Sequence, residues 1–288
     1  MEQRPPAQIS TPGGVPQAQP ASKAGRDLGA AIGVGVAIGA VVLLTLFLYR
    51  PAFGLLVLAA VGVSCYEIST ALRSGDIHVA WWPLIVGSAG MSAGAWFYGL
   101  PGLAIATLFT FLVAIVWRMA GGVDGFVVSA GASSLIILYV PFLAGFAIMM
   151  ANRDAGATWI LTWAIAVVCN DTGGYASGVL LGKHPMAPTI SPKKSWEGFA
   201  GSLVAASIGS VLMFVLVLDG QWWQGILFGI ALAMVATLGD FAESMIKRDL
   251  GVKDMSNLLP GHGGVMDRMD SLLFSAPLAW LLLTLFVG

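Results

Sequence analysis

The sequence predicts an all-α polytopic membrane protein with about nine transmembrane helices and a cytoplasmic N-terminus. Three observations carry that expectation. Of 288 residues only 14 are Lys or Arg and 15 Asp or Glu, a charged fraction of 10%, where a soluble domain carries about 25%. Hydrophobic residues make up 57% and the mean hydropathy is +0.85. A globule of that composition would present apolar patches that soluble monomers rarely expose. Uncharged runs long enough to cross a hydrocarbon core of about 30 Å recur almost to the last residue. The 37 glycines follow no three-residue period, which excludes a collagenous chain. The formal net charge of −1 points to no partner.

Residues 1–27, rich in Pro, Gln, Ala and Ser without apolar period, read as a disordered cytoplasmic tail. Residues 28–49 carry no charge, are too long for a signal-peptide core and lead into no small-residue cleavage site, so they read as a retained anchor. Further spans are expected at 51–72, 79–99, 101–117, 127–150, 158–181, 198–218, 222–243 and 271–287. Pro51 and Pro101 are acceptable at helix starts, and Trp81, Trp82, Trp222 and Trp223 fall at expected ends, where interfacial aromatics belong. Small residues crowd several spans, permitting close helix packing. The chain divides into membrane helices over 28–150 and a C-terminal membrane region over 151–288, with a charged cytoplasmic loop at 244–270. Cys65 and Cys169 lie in apolar runs at no metal or redox spacing, and read as inert thiols.

Basic residues set the orientation. With the N-terminus inside, the inner segments hold Arg4, Lys23, Arg26, Arg73, Arg118, Lys183, Lys193, Lys194, Lys247, Arg248, Lys253 and Arg268. These are 12 of the 14 Lys and Arg, leaving Arg50 and Arg153 outside. That bias satisfies the positive-inside rule and suits an odd number of spans.

Ionisable groups inside a membrane are expensive and mark function by default. Glu67, Asp171, Asp240 and Glu243 fall within expected spans. At about 1.5 Å per residue, Glu67, Asp171 and Asp240 lie roughly 24, 20 and 27 Å from their outer ends, beyond mid-membrane on the cytoplasmic side. On that reckoning they could line one cavity, although Glu67 is as readily a snorkelling or paired acid. Asp171 sits among Asn170, Thr172 and two glycines, which leave room for a metal or phosphate. Asp240, Glu243, Ser244 and Lys247 share one helix face, and such carboxylates suit Mg²⁺. In the following loop, Ser191, Lys193, Lys194 and Ser195 precede a helix start, where anions bind; equally, two lysines at a cytoplasmic mouth serve orientation alone.

The segment from Ser244 to Asp270 mixes Lys247, Arg248, Lys253 and Arg268 with Asp249, Asp254, Asp267 and Asp270. It is too charged to span a membrane. His262, Gly263 and Gly264 offer a flexible backbone for an oxyanion, and mixed acids and bases beside a membrane suit a magnesium–polyphosphate site. Ser244, Lys247-Arg248, Lys253-Asp254, Pro260, His262-Gly263-Gly264 and Asp267-Arg268 with Asp270 resemble the signature of the phosphatidate cytidylyltransferases (CDP-diacylglycerol synthases). Asp171-Thr172 and the block Ser191 to Glu197 also look like family motifs. The specific likeness covers about residues 160–288.

The resemblance implies condensation of CTP with phosphatidic acid to CDP-diacylglycerol and pyrophosphate, at a cytoplasm-facing site in the cell membrane. It implies Mg²⁺, with a second metal ion conceivable, and a homodimer. Asp171, Asp240, Lys247, Arg248, Asp267 and Arg268 would form the catalytic set, with Asp171 and Asp240 as metal ligands. Asp267 would be a third ligand or an acid behind them; alternatively Asp267 and Asp270 orient Arg268. Lys193, Lys194, Lys247, Arg248 and Arg268 would bind phosphates, and Ser191, Ser195, Ser244, His262, Gly263 and Gly264 would complete substrate binding. A CTP-dependent polyprenol kinase would use the same site logic on the γ-phosphate. A CDP-alcohol phosphotransferase needs a longer aspartate array, and a transporter would not transfer from CTP.

Overall fold

The computed structural model describes residues 28–259 and 263–288, with side chains from residue 33 onward. The expected N-terminal tail, Pro260 and His262 lie outside the described residues. The described residues are mostly helical: α1 Leu28–Leu48, α2 Arg50–Ser74, α3 Trp81–Met119, α4 Phe126–Ile137, α5 Leu143–Ala151, α6 Gly156–Leu181, α7 Trp196–Leu216, α8 Trp222–Asp249 and α9 Met266–Val287. Among the described residues, seven helical segments are long and apolar enough to cross a membrane, with a shorter apolar helix at Gly33–Leu48.

Two expected spans, 79–99 and 101–117, merge into α3, whose 39 residues break at Gly99 with φ 63° and ψ −143°. A straight helix of that length would reach nearly 60 Å, about twice the hydrocarbon thickness. The left-handed backbone at Gly99, open to glycine at no steric cost, lets the chain reverse. Pro101 starts the second limb. The limbs then run antiparallel: a Cβ on Gly94 would sit 2.6 Å from the Gly102 carbonyl oxygen, and one on Gly87 would run into Thr110. α4 and α5 form one span through a π turn at Leu138–Phe142, which contains Pro141. A proline has no N–H to continue the ladder there.

Helices α6 to α9 pack as a four-helix unit, with α5 against α9. Small residues set the close approaches. Gly225 and Gly229 of α8 face the α7 backbone, where a Cβ would lie 2.5 Å from the Cα of Val211 and of Ser207 respectively. Replacing Gly229 by Val must push α8 away from α7, because the colliding atoms are backbone and cannot rotate aside. Overpacking of this kind costs about 1–3 kcal/mol, so the thermal unfolding midpoint of the purified protein should fall by several degrees. An unchanged midpoint would show that the helices separate freely. Polar ties support the same packing: the Trp163 indole donates to Ser275 Oγ at 2.9 Å, and the Ser202 hydroxyl donates to the Asn170 carbonyl at 2.7 Å.

The boundaries near the charged segment differ from expectation. α8 continues to Asp249 and α9 begins at Met266, so the expected 244–270 loop shrinks to about residues 250–265. The extensions suit the helix dipole: Lys247 and Arg248 occupy the last turn of α8, and Asp267 the first turn of α9. The loop after α6, where no strand was expected, forms a hairpin of β1 (Pro185–Ala187) and β2 (Ser191–Ser195).

Candidate active site

An open cavity of about 500 Å³ lies where α6, β2, α7, α8 and α9 converge. α6 contributes Asn170 and Asp171; β2 contributes Ser191, Lys193, Lys194 and Ser195; α8 contributes Asp240, Glu243, Ser244 and Lys247; and α9 contributes Asp267, Arg268, Asp270 and Ser271. The helical period explains the convergence. Asp240, Glu243, Ser244 and Lys247 fall at i, i+3, i+4 and i+7, and Asp267, Asp270 and Ser271 at i, i+3 and i+4, so each helix aims one face inward.

Asp240 links three elements of the site. Its Oδ2 pairs with the Lys194 ammonium and its Oδ1 accepts from the Ser271 hydroxyl, which joins β2, α8 and α9 at one residue. Lys194 also lies 4.7 Å from the centre of the Phe241 ring, a cation–π contact that orients the ammonium. Asp171 accepts from Asn170 Nδ2 at 2.9 Å. Deeper in the site, Lys247 is wedged between two acids, pairing with Glu243 and, at 3.0 Å, with Asp267. Asp267 additionally accepts from the Met255 N–H at 3.0 Å and the Gly264 N–H at 2.7 Å, so it organises the loop preceding its own helix.

Six carboxylates (Asp171, Asp240, Glu243, Asp254, Asp267 and Asp270) face four cations (Lys193, Lys194, Lys247 and Arg268) around the cavity. That leaves a formal excess of two negative charges. Such a lining repels a polyphosphate unless a cation accompanies it. Two buried acceptors at the same cavity, Glu243 Oε1 and Asn170 Oδ1, have no hydrogen-bond partner. Among the described residues no group of three or more His, Cys, Asp or Glu side chains is arranged to enclose a metal by itself. Mg²⁺ needs no such cage, since one or two carboxylates, water and substrate phosphates satisfy it. The donor set therefore fits Mg²⁺ shared with phosphate oxygens.

Of the predicted site residues, Asp171, Asp240, Lys247, Asp267, Arg268, Ser191, Lys193, Lys194, Ser195 and Ser244 all line this cavity. Ser195 also caps α7, its Oγ accepting from the Gly198 N–H at 3.1 Å. Arg248 is not in the lining; its Nε points to the Ile190 carbonyl at 3.4 Å and ties the end of α8 to the hairpin turn. Gly263 and Gly264 stand behind the lining in the loop. Glu67 does not join the other intramembrane acids, because it bonds to Ser256, Val265 and Met266 instead. Its place on α2 was legible, but not the direction in which it points. Sequence reasoning missed Ser271, Thr237 and Ser202 as lining residues; helical spacing could have found Thr237, one turn before Asp240, and Ser271, one turn after Asp267.

The model of the Cytidylyltransferase family matches residues 30–286. The chain is 39% identical over 277 residues to the phosphatidate cytidylyltransferase of Mycobacterium bovis, covering 92% of this chain and 90% of that protein. It is 39% identical over 279 residues to the enzyme of that name from Mycobacterium leprae, covering 91% and 89%. A shorter match, 42% over 140 residues, links it to the phosphatidate cytidylyltransferase of Staphylococcus saprophyticus, covering 48% of this chain and 54% of that protein.

Proposed function

The chain belongs to the cytidylyltransferase family, and from that premise we propose that it condenses CTP with phosphatidic acid to CDP-diacylglycerol and pyrophosphate in phospholipid biosynthesis. The observation that carries the reading is the single cavity in which Lys194 on β2, Asp240 on α8 and Ser271 on α9 are joined. A phosphatidate oxygen forms the new bond to the α-phosphorus of CTP while the bond to the β-phosphate oxygen breaks, and pyrophosphate leaves with its negative charge. The nucleophile is already ionised near neutral pH, so no general base is required. What the site must supply is relief of anion–anion repulsion, in-line positioning and stabilisation of the leaving group.

Lys193, Lys194 and Arg268 would hold the phosphates, with Lys247 at the rear and Arg248 at the hairpin. Ser191, Ser195 and Ser244 would donate hydroxyl hydrogen bonds, and His262 with Gly263 and Gly264 would close the loop side. Asp171 and Asp240 would hold Mg²⁺, with Asp267 as a third acid. When bound, the metal supplies charge neutralisation at the transferring and leaving phosphates. A second ion and a homodimer belong to the same proposal.

We assign nine membrane crossings, counting α3 as two, with the N-terminus and the site on the cytoplasmic side of the cell membrane. The 12-to-2 distribution of basic residues supports this orientation. A cysteine introduced at Leu258, which is 58% exposed, should react with an impermeant thiol reagent only from the cytoplasmic face. Labelling from outside would reverse the topology.

The reaction is tested with purified protein, CTP labelled at the α-phosphate and phosphatidic acid. Label should enter the lipid with release of pyrophosphate. Chelation by EDTA should abolish conversion and Mg²⁺ should restore it. Release of CDP with transfer of the γ-phosphate to a polyprenol would identify a kinase instead. Conversion undiminished by EDTA would remove the metal from the proposal.

A further inference from the structure

We infer that Glu67, on α2 and outside the cavity, is the positioning residue that fixes the signature loop and the start of α9; the inference deepens the cytidylyltransferase reading and rests on it for its catalytic consequence. Glu67 is 2% exposed. Its Oε1 accepts from the Ser256 hydroxyl at 2.5 Å and the Val265 N–H at 3.0 Å, and its Oε2 accepts from the Met266 N–H at 2.8 Å. These partners are some 190 to 200 residues away in sequence and belong to the loop and the first turn of α9. The first N–H groups of a helix have no partner within the helix. A carboxylate at that end satisfies them and offsets the positive end of the dipole. Usually a residue just before the helix does this. Here the acid comes from a different membrane helix, so α2 sets where α9 begins.

The consequence reaches the cavity through a short path. Asp267, Arg268, Asp270 and Ser271 lie within the first six residues of α9, directly after the two N–H groups that Glu67 holds. Asp267 holds the other side of the same loop through Met255 and Gly264. The loop is therefore fastened at both ends by carboxylates, one from α2 and one from α9 itself.

Gly264 shows how tight the fit is. A Cβ there would lie 2.7 Å from Glu67 Oε2 and 2.8 Å from Oε1. Glycine at 264 thus makes room for the Glu67 carboxylate, a requirement separate from any contact with phosphate. The neighbouring Gly263 needs glycine for another reason, a φ of +79°, which side chains other than glycine rarely adopt.

The test uses purified full-length protein carrying Glu67→Gln, Glu67→Ala, Gly264→Ala, or Glu67→Ala with Gly264→Ala. Wild-type conversion of CTP and phosphatidate comes first, so failure of the reaction assignment is seen separately. Glu67→Ala should lower kcat about 10–100-fold, the range for removing a group that orients reacting ones, with KM for CTP within about threefold. Glu67→Gln, which keeps volume and one acceptor, should lose less. Gly264→Ala should also lose activity, and the double variant should be no worse than Glu67→Ala alone, because the carboxylate that Cβ meets is gone.

A nitroxide on Leu258→Cys, in a Cys169→Ser background, gives a readout that does not depend on turnover. Glu67→Gln should increase its mobility with only a small fall in the thermal midpoint, whereas Glu67→Ala, which strands the Val265 and Met266 N–H groups, should increase mobility further and lower the midpoint as well. Two results would overturn the inference: unchanged kcat and label mobility in Glu67→Gln, or losses from Glu67→Ala and Gly264→Ala that multiply in the double variant. Should Glu67→Ala fail to fold, the comparison of Glu67→Gln with wild type still decides.

Discussion

Replacing Asp240 by Asn should reduce turnover about a thousandfold, the scale at which loss of a key electrostatic group acts in a polar site, while leaving the fold intact. The substitution conserves volume and keeps one acceptor oxygen. It removes the charge that faces Lys194 and turns one position into an amide donor, which must then point at either the Lys194 ammonium or the Ser271 hydroxyl, the two groups that Asp240 now accepts from. Facing Lys194, the amide breaks the tie to β2; facing Ser271, it reverses that hydrogen bond, with the hydroxyl now accepting. The same change removes one of the two carboxylates proposed to hold Mg²⁺, and a neutral amide oxygen is a far weaker ligand for a hard cation. The side chain is only 22% exposed, so water cannot fully replace what is lost. The measurement is kcat with CTP and phosphatidate in excess Mg²⁺, alongside the thermal midpoint. Turnover within about tenfold of wild type, at an unchanged midpoint, would remove Asp240 from the centre of the site.

How much of this site was legible in the sequence follows from the distance over which each feature is encoded. The face of α8 was readable because Asp240, Glu243, Ser244 and Lys247 share a helical period. The break inside α3 was readable because Pro101, acceptable at a helix start, falls within a long apolar run, although the part played by Gly99 was not. By contrast, Lys194 reaches Asp240 across 46 residues, and no local pattern encodes that pairing. Counting residues placed Glu67 along α2 but not on a side of it, so the sequence left it open whether it joins the cavity acids or is paired elsewhere, and the structure pairs it with the loop before α9. Gly263 and Gly264 suggested a phosphate-wrapping backbone; what the sequence did not show is the positive φ at the first and the Glu67 carboxylate packed against the second. The hairpin strand Ser191–Ser195 has no apolar alternation to announce it. Its partner is three residues long, and the two are held by their position between α6 and α7.

Lys247→Met should destabilise the protein more than any other single change in the cavity. The Lys247 side chain is 17% exposed, and its partners Glu243 and Asp267 have side chains 1% and 4% exposed. Methionine fills nearly the same space but leaves two buried carboxylates facing each other without the cation. Removing one partner of a buried ion pair costs about 3–5 kcal/mol, chiefly because the charge left behind has no compensation. The resulting drop in thermal midpoint should be large, and activity should fall with it. Combining Lys247→Met with Glu243→Gln separates stability from chemistry, since it removes one of the stranded charges. The double variant should recover most of the midpoint, leaving Asp267 its two backbone N–H donors. Turnover should nevertheless stay at least about tenfold below wild type, because the ammonium that lines the cavity is missing where phosphate charge must be met. Full recovery of both would make Lys247 a structural cation only. A single variant with an unchanged midpoint would mean that Glu243 and Asp267 dispose of their charge by another route, and that the ion pair contributes little to the fold.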